Sequence, residues 1–141
     1  MSISSPSLLI TDDDLEFRQT LRSVFEPQGF CTYLAGDGEE ALQIVRDREV
    51  HLVLLDMHMP RLTGLETIRL VRQFKSLLPC ILMSANLDDF IIQQAQREHV
   101  FSVLPKPVTF RQITGVVRLA LKQIYDWQPD RPSAPDRLSG D

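Results

Sequence analysis

Only two cysteines, Cys31 and Cys80, occur in the 141 residues, with neither a CxxC spacing nor a histidine beside them. That excludes a metal knuckle or a dithiol motif and leaves both as reduced thiols, expected in the core because each lies in an apolar segment. Long apolar runs are missing as well. The longest, such as Leu52 to Leu55 and Ile81 to Met83, fall far short of the roughly 20 residues that a bilayer-spanning helix needs. Met1 to Ser7 lacks the basic start and apolar stretch of a secretory leader, so the expected location is cytoplasmic, with no membrane partner. Nor is there an excess of positive charge: 15 Lys plus Arg stand against 19 Asp plus Glu, for a net charge of -4. A broad basic surface is therefore not expected, and direct nucleic-acid binding is not either. No internal repeat is visible. What is present is the balance of a folding globular chain, 43% hydrophobic and 24% charged, at a length that suits one domain.

Five short apolar runs alternate with segments of helical period. Leu8-Leu9-Ile10 is the first strand, closed by Asp12-Asp13-Asp14; Leu15, Arg18, Leu21, Val24 and Phe25 mark a helix capped by Asp14 and stopped by Pro27 and Gly29. Cys31 to Leu34 is the second strand, and Asp37 with Glu40 forms a capping-box-like start to a helix through Ala41, Leu42 and Val45. His51 to Leu55 is the third, whose unbroken apolar run suits a central strand covered on both faces. Thr63 with Glu66 repeats the capping box ahead of Leu65, Ile68, Val71 and Phe74. Ile81 to Met83 is the fourth strand, followed by a helix opened by Asp88 and Asp89 and ending near His99. Ser102 to Leu104 is the fifth. Thr109 starts the last helix, through Ile113, Val116, Val117, Ala120, Leu121 and Ile124, with Trp127 expected to pack its end. Residues 128–141 carry three of the nine prolines and read as a disordered tail or linker stub behind a single domain over 1–127.

This alternation defines an α/β fold, a doubly wound five-stranded parallel sheet with helices on both faces, and such sheets hold ligands at the carboxyl ends of their strands. Asp12 and Asp13 follow strand one and Asp56 ends strand three, so strands about 4.8 Å apart would gather carboxylates on one rim. Two such charges 4 Å apart repel by roughly 1 kcal/mol in water and roughly 4 kcal/mol at a surface-like dielectric, which favours recruiting a cation. Oxygen-only ligands suit Mg2+ or Mn2+ and not zinc. Ser84 after strand four and Lys106 after strand five add a hydroxyl and an ammonium to the same rim. A carboxylate nucleophile, a divalent cation, a hydroxyl and a lysine are the parts that phosphoryl transfer to an aspartate requires. Asp56 is the nucleophile expected, since it ends the central strand and leads into the turn Met57-His58-Met59-Pro60. His51 and His99 read as surface or strand-edge residues, and Met57, Met59 and Met83 as packing.

From about residue 7 to residue 125 the chain resembles the receiver domains of two-component response regulators. The resemblance rests on Asp12-Asp13, on Asp56 in Leu-Leu-Asp-Met-His-Met-Pro, on Thr63-Gly64-Leu65, on Ser84-Ala85 and on Lys106-Pro107, in that order and spacing. It implies a flavodoxin-like strand order 2-1-3-4-5, in which Cys31 and Cys80 are not on neighbouring strands and should not pair. It implies Asp56 as phosphoacceptor, Mg2+ held by Asp13, Asp56 and the backbone carbonyl of His58 with Asp12 acting through water, and a cis Lys106-Pro107 bond. Ser84 and Lys106 would contact the phosphoryl group, with Ala85 beside them. The implied donor is a sensor histidine kinase or a histidine phosphotransfer protein; the downstream protein is unknown, and the face around the fourth and fifth helices is where a homodimer would form. Three positions depart from the family pattern: Val103 stands where Tyr or Phe is usual, His99-Val100 where Gly-Ala is usual, and Val108 where Phe is usual. All three lie on the face that receivers use for output.

Two other readings compete. A pseudo-receiver would only bind partners, as the departures around Val103 allow. A phosphohydrolase of the haloacid-dehalogenase type would use Asp12 to Asp14, but it lacks a later acidic pair and a cap insert and leaves Asp56 without a role. The side chain of His58 is expected at the pocket mouth, modulating water access and dephosphorylation. The sequence leaves open a stand-alone regulator or a chain continuing beyond a linker.

Overall fold

A computed structural model describes residues 3–129. Its strands are β1 (Ser7–Thr11), β2 (Cys31–Ala35), β3 (Leu52–Asp56), β4 (Cys80–Ser84) and β5 (Ser102–Pro105). The helices between and after them are α1 (Leu15–Phe25), α2 (Gly38–Asp47), α3 (Gly64–Phe74), α4 (Asp89–Arg97) and α5 (Phe110–Tyr125). All pairings are parallel, in the order β2-β1-β3-β4-β5. The central strands β3 and β4 are buried at every residue, as strands covered on both faces must be.

Alternation along the strands sorts the core into two layers. Leu8, Ile10, Leu52, Leu54, Ile81 and Met83 face α1 and α5, where they meet Leu21, Phe25, Ile113 and Val117. Leu9, Val53, Leu55, Cys80 and Leu82 face α2, α3 and α4. Trp127 closes the first layer edge-to-face against Phe30, centroids 5.2 Å apart, so it packs beyond the end of α5 as the sequence suggests. The expected tail over 128–141 lies outside the described residues from 130 onward.

Local chemistry sets the helix starts. Asp14 caps α1 by accepting from the Glu16 and Phe17 N–H groups. Thr63 and Thr109 open α3 and α5 with reciprocal capping boxes. At α2 the expected box is incomplete: Asp37 accepts from Glu40 N–H, but the Glu40 carboxylate accepts from Gly36 N–H instead of closing on Asp37. Gly29 ends the turn after α1 at φ 98, a conformation that glycine adopts without a Cβ clash. His99 holds φ 56 where glycine is favoured; the Arg72 guanidinium of α3 grips this turn, donating to the carbonyls of Glu98 at 3.0 Å and His99 at 3.1 Å.

Several expectations are corrected. Cys31 is exposed, because β2 is an edge strand and Cys31 begins it with its side chain outside the helix cover. Leu15, placed in the apolar stripe of α1, is 56% exposed, since the first turn of α1 overhangs the core. His51 precedes β3 instead of beginning it, and its ring is no surface bystander: Nδ1 accepts from Ser7 N–H at 2.9 Å and the ring meets Tyr125 edge-on at 5.5 Å.

The two thiols therefore differ in chemistry. Burial pushes the Cys80 thiol up to about 11, with Arg72 opposing. A thiol-specific disulfide reagent at pH 8 should modify one thiol per folded chain, at Cys31, and two after unfolding; native-state labelling of Cys80 at a similar rate contradicts the packing. Because Cys80 ionises near 9.0 when unfolded and near 11 when folded, the unfolded chain loses its proton first, and stability should fall as pH rises through that window.

Candidate functional site

The carboxyl ends of the strands form one rim. Asp56 is the last residue of β3, paired with Met83 of β4, and its side chain is only 7% exposed. Asp12 follows β1 and is fully enclosed, its backbone N–H bonded to Ala35 O of β2 and its carboxylate accepting from Asp14 N–H at 2.9 Å. Asp13 stays exposed beside it. Carboxylate oxygens of Asp12, Asp13 and Asp56 all lie within 4.8 Å of one another.

Lys106, just past β5, crosses to this cluster. Its Nζ lies 3.3 Å from Asp12 Oδ2 and 3.2 Å from Asp56 Oδ1. Burial works against the lysine's charge, but the two carboxylates outweigh it and hold its proton above the ordinary value. Asp12 is raised, by burial first and by the Asp56 charge, although the Asp14 N–H and Lys106 pull the other way. One ammonium does not neutralise the cluster. Asp56 Oδ1 is buried, and the Lys106 ammonium at 3.2 Å, poorly aligned for a hydrogen bond, is its one polar contact named among the described residues. An all-oxygen cluster of three carboxylates with a single ammonium against it fits a hard divalent cation.

Ser84 ends β4, wholly buried, and its hydroxyl contacts His58 Nε2 at 3.3 Å and accepts from Asn86 N–H at 3.3 Å. His58 is exposed on the loop after β3, and Ala85 is exposed after Ser84. The Lys106-Pro107 peptide is cis. Val103 lies on β5 beside a groove of about 300 Å³ bordered by Leu87, Ile92 and Phe101, away from the carboxylates. The loop that carries Asp56 into α3 depends on Gly64: a Cβ there would stand 2.6 Å from the Asp56 carbonyl oxygen, and its N–H bonds Met57 O at 2.9 Å.

The sequence reading missed two neighbours. Phe17 of α1 walls the rim pocket of about 390 Å³, its ring 5.3 Å from Lys106 Nζ. Arg18 of α1 donates to the Asp12 carbonyl at 2.6 Å, fixing the backbone that carries the acidic pair. Both follow Asp13 within the first turns of the helix it precedes, which is the only sequence signal that marks them.

Comparison with known proteins agrees with this geometry. The model of the response regulator receiver domain matches residues 8–118. The transcriptional regulatory protein CpxR of Escherichia coli (strain K12) is 31% identical over 118 residues, 84% of this chain and 50% of that protein. The regulatory protein AtoC of the same organism is 31% identical over 115 residues, 82% of this chain and 25% of its own length. The chain thus spans half or less of these two relatives. The chemotaxis protein CheY4 of Vibrio cholerae superimposes with a TM-score of 0.79 at 22% identity, over 83% of this chain and 99% of that one, a likeness of fold. The chain belongs to the response regulator receiver domain family. A phosphorylation-activated receiver is the role this supports; neither the pseudo-receiver nor the phosphohydrolase is favoured. Among the described residues no helix is long and apolar enough to cross a membrane.

Because its surroundings disfavour the ionised Asp12, Asp12→Asn should stabilise the metal-free protein at neutral pH while keeping an acceptor for Asp14 N–H. The expected outcome is a higher Tm than wild type, read by thermal unfolding in a chelator. A lower Tm contradicts the charge reading.

Proposed function

We propose that Asp56 is the phosphoacceptor, taking a phosphoryl group from a phosphohistidine on a sensor histidine kinase or a histidine phosphotransfer protein, inside the cytoplasm. The observation that carries this reading is the convergence of Asp12, Asp56 and Lys106 from three strand ends within ion-pair distance, in a chain of the receiver family. A carboxylate oxygen of Asp56 forms a bond to phosphorus as the donor's P–N bond breaks, and the electron pair of that bond returns to the imidazole nitrogen. The product is an acyl phosphate on Asp56.

Lys106 is held in its charged form by the two carboxylates, so it is ready to pair with a phosphoryl oxygen without any proton moving. Ser84 offers a hydroxyl from the neighbouring strand end. Asp12, Asp13, Asp56 and the carbonyl of His58 would hold Mg2+ or Mn2+, which when bound neutralises charge on the incoming phosphoryl group. With so little covalent work left to a partner, the domain catalyses its own transfer from a small phosphodonor. The receiver would occupy residues 1–127, with 128–141 as a tail or linker. Phosphorylation would shift a two-state equilibrium in the loops after β3, β4 and β5.

Intact mass after incubation with acetyl phosphate and Mg2+ tests the assignment. Wild type should gain about 80 Da, while Asp56→Asn, or wild type with a chelator, should not. A gain of the same size in Asp56→Asn places the acceptor elsewhere.

A further inference from the structure

The hydroxyl expected to meet the phosphoryl group already has partners. Ser84 is wholly buried, whereas His58, from a different loop, is exposed, yet its Nε2 reaches 3.3 Å from Ser84 Oγ. The same oxygen accepts the Asn86 N–H at 3.3 Å. A serine hydroxyl carries one O–H and two lone pairs; Asn86 takes one lone pair, and the O–H is the group that faces the imidazole when Nε2 is the unprotonated ring nitrogen. We propose that His58 is a positioning residue that acts through Ser84: its Nε2 accepts the serine O–H and holds it away from the acyl phosphate, so that phosphorylation must exchange this bond for one to a phosphoryl oxygen. The contact also ties the loop after β3 to the loop after β4, so breaking it on phosphorylation releases the two loops from each other.

The proposal rests on Asp56 as phosphoacceptor, and it predicts that losing the imidazole favours the phosphorylated form. The exposed ring can be removed with little effect on folding. The probe is beryllofluoride, an aspartyl-phosphate mimic, titrated with Mg2+ by calorimetry. His58→Ala should bind it about three- to tenfold more tightly than wild type, the factor expected for removing one competing neutral hydrogen bond. His58→Gln, whose amide oxygen can accept the same hydroxyl, should restore wild-type affinity. In a Ser84→Ala background, His58→Ala should change nothing. Unchanged affinity in His58→Ala, or equal tightening with and without Ser84, overturns the latch. A wild type that binds no beryllofluoride overturns the phosphoacceptor reading instead, and the latch is then decided in the metal-free protein by nitrogen NMR. There, Nε2 of His58 should carry no proton and should shift on Ser84→Ala; a protonated Nε2 or an unmoved signal refutes it.

Discussion

The fold presents two buried carboxylates, Asp12 and Asp56, at one rim and sets a single ammonium against both. Three features of the site follow from that shortfall of positive charge. Lys106 is kept charged, Asp12 is pushed toward its neutral form, and a buried oxygen of Asp56 has only a poorly aligned contact to the shared ammonium. A site in this state is poised for charge that arrives from outside, whether a cation or the redistribution that accompanies a phosphoryl group.

The sheet makes such a site tolerable. β3 and β4 are apolar along their lengths and carry polar groups only at their carboxyl ends, so the charges gather at the rim beside the exposed Asp13 and not within the sheet. On one face α1 supports the acidic pair, through Asp14 as its helix cap and Arg18 on the Asp12 carbonyl, and sets the Phe17 ring 5.3 Å from Lys106 Nζ. The layer of α2, α3 and α4 carries the loops that follow Asp56 and Ser84. The rim residues thus lie at the edge of the core and run directly into two loops. After α4, the Arg72 grip on the Glu98 and His99 carbonyls supports the left-handed turn that His99 occupies.

How much of this was legible in the sequence follows from the range of each interaction. Strands, helix caps and the ordered rim residues are local patterns, and the reading of β1 to β5, of Thr63 with Glu66, and of Asp12, Asp56 and Lys106 needed no tertiary detail. Cys31, Leu15 and His51 were misread because hydrophobic character or position says nothing about which strand is an edge, which turn overhangs, or which ring finds a backbone donor. The His58 contact with Ser84 and the ring of Phe17 beside Lys106 join different elements, and only the folded chain brings them together.

The most direct test of the central claim is reductive trapping of the phosphorylated aspartate. Borohydride converts an aspartyl phosphate to homoserine, a loss of about 14 Da at the modified residue. After acetyl phosphate, Mg2+ and borohydride, tryptic mapping should find the change in the peptide that runs from Glu49 to Arg61, at Asp56. Homoserine instead in the first peptide, at Asp12, Asp13 or Asp14, would contradict the account.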